Sequence, residues 1–112
     1  MNKILFIPTI LILLFSCDGN NSETDWLKNG TLHKSKVKDW KNATDENKLA
    51  TCADFAAKIK EMENEKYKTI NEMKIDAIEL KSCIDAAVNG GDYTDHMLVS
   101  EISVMCHMTM NY

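Results

Sequence analysis

The chain has 112 residues, a formal net charge of −4, four cysteines and no arginine. This length provides one domain with a modest core and excludes two full-sized domains. Because arginine is the usual bidentate ligand for phosphate, its absence from an acidic chain argues against binding to nucleic acid or nucleotides.

Residues 1–16 have the composition of a signal peptide. Lys3 supplies the positive start, and residues 4–15 form a short apolar stretch; both features are typical of secretory leaders. A membrane-spanning helix needs about 20 apolar residues, so this stretch, interrupted at Pro8, is too short to remain as a span. We expect the leader to be removed, which leaves 96 residues and, without Lys3, a net charge of −5.

The sequence LFSC at residues 14–17 resembles the lipobox of bacterial lipoproteins. This resemblance implies cleavage before Cys17, a diacylglycerol on its sulfur and acylation of the new amino terminus. Several acyl chains would then anchor the protein stably to the inner or outer membrane of the cell envelope. Residues 17–30 would form a flexible tether, and residues 31–112 a single domain facing the periplasm or the exterior. A secreted protein with Cys17 in a disulfide is the alternative.

Three stretches of this domain repeat their apolar residues at helical spacing, which predicts an all-α, three-helix up-down bundle. The first helix is expected to follow Thr44 as N-cap, the second to run from Thr69 to the stop signal at residues 89–91, and the third to open at Thr94. The third helix is apolar on nearly every side, so we expect it to be the buried element. The first reversal is placed within residues 61–68, with one continuous long helix as the alternative.

A short additional helix before these three would give a four-helix variant of the bundle. Ser35 is its N-cap candidate, and Val37 and Trp40 would share one face. For Trp26 and Trp40 we favour packing in the core, and a recognition surface near the tether is the alternative use.

Acylation of Cys17 leaves Cys52, Cys83 and Cys106 in an oxidising compartment. In an up-down-up bundle with a rise of about 1.5 Å per residue, Cys52 and Cys83 come to the most similar levels. Cys52 with Cys106 ranks next, and Cys83 with Cys106 last. A disulfide between Cys52 and Cys83 is therefore predicted, and three buried free thiols are the remaining alternative.

The sequence predicts neither an enzyme nor a bound cofactor. Cys106 and His107 are adjacent, but neighbours on a helix point about 100° apart and do not form a nucleophile and base pair. Together with Met108 and Met110 they offer the soft ligands that Cu(I) prefers. Met108 and Met105 also continue the apolar stripe of the third helix, so core packing is the favoured interpretation and a metal site the alternative.

The acidic residues are interpreted as surface charge. Glu61, Glu63 and Glu65 are closely spaced in the predicted reversal and are expected to be solvated rather than catalytic. An acidic surface speeds the encounter with a basic partner.

The leading functional hypothesis is a small binding module at the cell envelope, held by its lipid anchor and directed at another protein. Immunity and exclusion factors, which block a toxin or phage protein, are similar in size, location and charge, and this similarity is associational. Periplasmic soft-metal binding through the C-terminal cluster and a structural envelope protein are the alternatives.

Overall fold

The computed structural model describes residues 25–110 of the chain. These residues form a 3₁₀ helix, Asp25–Leu27, and four α-helices: α1 Val37–Lys41, α2 Asp45–Met62, α3 Ile70–Val88 and α4 Val99–Met110. The predicted all-α bundle, with a short helix before three longer ones, is confirmed. None of the described helices combines the length and the hydropathy that a bilayer span requires. The predicted signal peptide and Cys17 lie outside the described residues.

Two threonines begin the two longest helices, as predicted. The Thr44 hydroxyl accepts a hydrogen bond from the Asn47 amide at 3.1 Å, and the Thr69 hydroxyl accepts one from the Glu72 amide at 3.1 Å. Each bond satisfies an amide that has no partner within its own helix. Local sequence therefore fixes both starting points.

The first reversal lies at residues 63–69, so the alternative of one continuous helix is wrong. The reversal contains no glycine. Asn64 instead adopts a positive φ of 61°, in the left-handed region that asparagine tolerates better than most residues. Its neighbour Glu65 donates its amide to the Lys60 carbonyl at 2.9 Å, which closes the end of α2.

The three long helices run up, down and up. Lys81, late in α3, lies 3.4 Å from Asp45 at the start of α2, so α2 and α3 are antiparallel. His107, near the end of α4, lies 2.9 Å from Glu63 just beyond the end of α2. The ends of α2 and α4 therefore meet at one end of the bundle.

Trp40 of α1 is fully buried and lies at the centre of the polar contacts that join α1, α2 and α3. Its indole nitrogen donates to Asp85 at 2.9 Å, and Lys81 donates to the other oxygen of that carboxylate at 3.0 Å. Burial alone would raise the pKa of Asp85, but these two hydrogen bonds and the charges of Lys81 and Lys48 outweigh burial and lower it. Trp40 therefore serves the core, and its alternative use as a recognition surface is wrong.

The segment before α1 packs against the bundle from Asp25 onward. Trp26 and Leu27 contact the core cluster, and a Cβ at Gly30 would lie only 2.7 Å from the backbone nitrogen of Thr51. The Thr31 amide donates to the Asn47 side chain at 2.8 Å. Residues 25–30 thus belong to the domain, and the predicted end of the tether at residue 30 is too late.

A short antiparallel bridge between Lys36 and Leu98 joins the segment before α1 to the start of α4. The Val99 amide donates to the Ser35 carbonyl at 2.9 Å. Lys36, not Ser35, is the N-cap residue of α1, and its side chain makes no capping hydrogen bond. The predicted Ser35 cap is therefore wrong, because tertiary pairing orients this part of the backbone.

The prediction for the third long helix is wrong in its start and in its burial. α4 begins at Val99 rather than after Thr94, and the amide of Leu98 is satisfied by the Glu101 carboxylate at 3.0 Å. One face of α4 is buried, through Val99, Ile102, Ser103 and Cys106. The opposite face is exposed, with Val104, Met105 and Met108 between 48% and 56% accessible. Core packing of the two methionines is thus excluded.

The disulfide joins Cys83 to Cys106, with their Cα atoms 6.0 Å apart. Cys52 is a buried free thiol. The prediction of a bond between Cys52 and Cys83 is therefore wrong. The late start of α4 lowers Cys106 by about 6 Å, to within about one helical turn of both Cys52 and Cys83, so the level along the bundle does not select the pair. The neighbouring helix does, because α4 packs mainly against α3 rather than α2.

Replacing both Cys83 and Cys106 with alanine should lower the free energy of unfolding by about 3 kcal/mol, because the bond closes a loop with a sequence separation of 23. Urea unfolding with and without a reducing agent measures this difference. The single variant Cys52→Ala is the control and should keep its sensitivity to the reducing agent. Loss of that sensitivity in Cys52→Ala would show that Cys52 forms the bond.

Because the pKa of Asp85 is lowered in the folded state, its contribution to stability is present above the unfolded value of 3.8 and is lost as the pH falls through the lower folded value. At neutral pH, Asp85→Asn should lower the free energy of unfolding by about 1 kcal/mol, since the ion pair is partly exposed. That difference should shrink as the pH is lowered below 3.8. Asp39→Asn on the exposed side of α1 is the control, and an equal effect of both substitutions at every pH would contradict the prediction.

Candidate functional site

A partly enclosed cleft lies where the end of α2, the reversal, the first half of α3 and the end of α4 meet. Its cavity volume is about 90 Å³. The apolar part of its wall consists of Ala56, Ile59, Leu80 and Met110. The polar part consists of Lys60, Glu63, Tyr67, Asp76, Glu79 and His107. The cleft thus combines apolar surface with convergent polar groups, which is the usual character of a binding site.

Tyr67 and Asp76 form the polar contact between the reversal and α3. The Tyr67 hydroxyl donates to Asp76 at 2.7 Å. Burial, this hydrogen bond and the negative charges of Asp76, Glu63 and Glu72 all raise the pKa of Tyr67 above its usual range. Tyr67 therefore stays a neutral hydrogen-bond donor, and the carboxylates around it make the local potential negative.

His107 and Lys60 connect the other polar groups of the cleft. The Nε2 atom of His107 lies 2.9 Å from a Glu63 carboxylate oxygen, which joins the last turns of α4 to the end of α2. The Lys60 ammonium lies 3.3 Å from Glu65 and 5.2 Å from the centre of the Tyr67 ring. The contact of His107 fixes the end of α4 at the cleft wall, and the contacts of Lys60 fix the reversal there.

The charge of the cleft is not balanced by its own side chains. Glu79 lies on the exposed side of α3 and, among the described residues, makes no ion pair or hydrogen bond. Asp76 accepts its hydrogen bond from a neutral phenol, so its negative charge remains. The single lysine of the cleft is paired with Glu65, which lies outside the wall.

The residues of the predicted soft-metal cluster are dispersed in the structure. The sulfur of Cys106 is bonded to Cys83 and is not a thiolate ligand in this state. His107 faces Glu63, Met110 lines the cleft, and Met108 is 56% exposed on another side of α4. Within residues 25–110, no group of three or more His, Cys, Asp or Glu side chains is placed to hold a metal ion.

The two tryptophans proposed as a recognition surface do not form one. Trp40 has no accessible surface. Trp26 is half-buried, and the Lys74 ammonium lies 5.2 Å from its ring. Neither residue lines the cleft.

Four cleft residues, Lys60, Tyr67, Asp76 and Glu79, were not predicted as site residues, and Glu63 was interpreted as a solvated charge. Two signals were present. Tyr67 is an aromatic residue inside an otherwise highly charged reversal. An aromatic side chain at such a position indicates that it packs against another part of the chain. Asp76 and Glu79 are three residues apart, which places them as neighbours on one side of α3.

Comparison of the chain with models of protein families, with curated proteins and with solved structures found no match. The chemistry of the cleft is therefore the basis for assigning a function. Its wall is suited to recognising a ligand, with an apolar floor and carboxylates that remain unbalanced.

Replacing Asp76 with asparagine should lower the pKa of Tyr67 toward its unperturbed value of 10.0, because the nearest negative charge is removed while burial remains. Titration of the tyrosine ring resonances by NMR measures this change. Asp54→Asn, which removes a carboxylate paired with His33 away from the cleft, is the matched control. An unchanged Tyr67 titration in Asp76→Asn would contradict the assigned contact.

Proposed function

We propose that this protein is an exported lipoprotein, anchored through Cys17, whose helical domain binds another protein in the cleft between α2, α3 and α4. In this role it acts as a blocking factor of the immunity or exclusion type. The leader and the lipobox support the location, and the cleft carries the proposal that the domain binds a partner.

The size of the cleft favours a protein partner over a free organic ligand. Pockets for drug-sized molecules have volumes of about 300 to 1,000 Å³, whereas this cavity has about 90 Å³. Such a cavity has room for part of one side chain. In protein interfaces a few anchor side chains that fill such pockets supply most of the binding energy.

The disulfide is consistent with the proposed export. Disulfides persist in oxidising compartments and are rare in the cytosol. The bond between Cys83 and Cys106 holds α4, and with it His107 and Met110, at the cleft. The proposed location outside the cytosol would thus supply the oxidising conditions under which the disulfide that positions α4 is stable.

A photo-crosslinking amino acid at position 110 tests the proposal in the native cell envelope. Met110 lines the cleft and is 36% exposed, so the probe is expected to form one discrete crosslinked product with another protein. The same probe at position 93 is the control, because Tyr93 is 76% exposed and does not line the cleft. Equal crosslinking from both positions, or none from position 110, would contradict the proposal.

The anchor is tested in the same preparation. Mass spectrometry should find the chain beginning at Cys17 and carrying acyl groups, and Cys17→Ser should abolish both the acylation and the membrane association. An unmodified Cys17 in the wild-type protein would remove the basis for the proposed location.

A further inference from the structure

The wall of the cleft carries more negative than positive side chains. Asp76 and Glu79 contribute negative charges without a cationic partner among the described residues, and Glu63 adds a third carboxylate facing His107. The one ammonium of the wall, on Lys60, is paired with Glu65. A ligand that carries a positive charge would therefore gain an interaction that the free protein does not satisfy.

The floor of the cleft is apolar. Ala56, Ile59 and Leu80 form this part of the wall, and Leu80 belongs to the buried core. Methylene groups bury favourably against such a surface while a charged end remains at the polar rim. This partly enclosed apolar floor distinguishes the cleft from a solvated group of acidic residues.

Tyr67 contributes an aromatic ring to the same wall. Its ring already has an ammonium group nearby, that of Lys60 at 5.2 Å from the ring centre. Aromatic rings attract cations through their electron-rich faces. The Lys60 ammonium already occupies this ring, so an added cation would be held by Asp76 and Glu79 rather than by Tyr67.

From the cavity, its apolar floor and its unpaired carboxylates, we propose that the cleft binds an alkylammonium group, a short unbranched chain that ends in a positive charge. The methylene groups lie on Ile59 and Leu80, and the ammonium group lies between Asp76 and Glu79. This inference rests on the proposed function, in which the group is a lysine side chain of the partner protein. A free diamine carries the same chemistry and is the other possible source.

Titration of the full chain in detergent micelles with pentylammonium tests the inference, with the methyl resonances of Ile59 and Met110 as the readout. Pentylammonium should shift both resonances saturably, and high salt should weaken the binding. Pentanol and pentanoate, which have the same chain with a neutral or a negative end, should bind much more weakly. Equal binding of pentanol, or no saturable shift with pentylammonium, would overturn the inference.

Glu79→Gln tests the role of the carboxylate without disturbing the fold, because Glu79 is exposed and makes no ion pair or hydrogen bond within residues 25–110. It should weaken pentylammonium binding by about threefold to fivefold, the factor expected for an exposed charge pair. Glu46→Gln at the start of α2 removes one negative charge away from the cleft and should leave binding unchanged. Equal weakening in both variants would reduce the effect to net charge and overturn the inference.

A comparison of cadaverine with N-acetyl-lysine methylamide distinguishes the two sources. Tighter binding of the lysine compound supports a protein side chain, and tighter binding of cadaverine supports a free diamine; either result supports the alkylammonium site. A crosslinked partner from position 110 without saturable pentylammonium binding would overturn this inference and leave the proposed function standing. Pentylammonium binding without a crosslinked partner would support the alkylammonium site and overturn the proposed function.

Discussion

The bond between Cys83 and Cys106 fixes the position of α4, and the form of the cleft depends on that position. α4 buries only one face, and its packing is mainly against α3. Two of the cleft residues, His107 and Met110, follow Cys106 within little more than one helical turn. A covalent bond at this point therefore determines where both side chains lie. A domain of this size has a small core, so a single cross-link contributes a large share of its stability.

The opposite side of the bundle is held by noncovalent contacts around Trp40. This side chain places a large apolar ring in the core while its one polar atom donates to Asp85. Lys81 shares the same carboxylate, and the whole group joins α1 to α3. Buried polar atoms stabilise a fold only when they find partners, and here each atom of the group does. The disulfide and the tryptophan thus hold different helices against α3, which is the central element of the domain.

Local sequence predicted the elements that local chemistry determines. The cap at Thr44, the start of α3 at Thr69 and the stop after Val88 depend on residues within one turn, and all three were predicted correctly. The start of α4 was not, because residues 94–98 are held by contacts with the segment before α1 rather than by a cap at Thr94. The cysteine pair was missed because α4 packs mainly against α3, and the spacing of residues along the chain does not show which helix is the neighbour. The cleft was missed for a related reason: its side chains come from α2, the reversal, α3 and α4, and no spacing along the chain brings Tyr67 and His107 together.

Among the described residues Cys52 forms no disulfide, and its environment makes its thiol unreactive. It is fully buried, and burial, together with the charge of Asp85, raises its pKa to about 12 against a weaker opposing effect of Lys81. Only the thiolate attacks a disulfide, so the folded protein does not exchange Cys52 into the existing bond. In an unfolded chain the same sulfur competes for Cys83 and Cys106. Burial of Cys52 within the folded domain removes this competitor, which leaves Cys83 and Cys106 as the bonded pair.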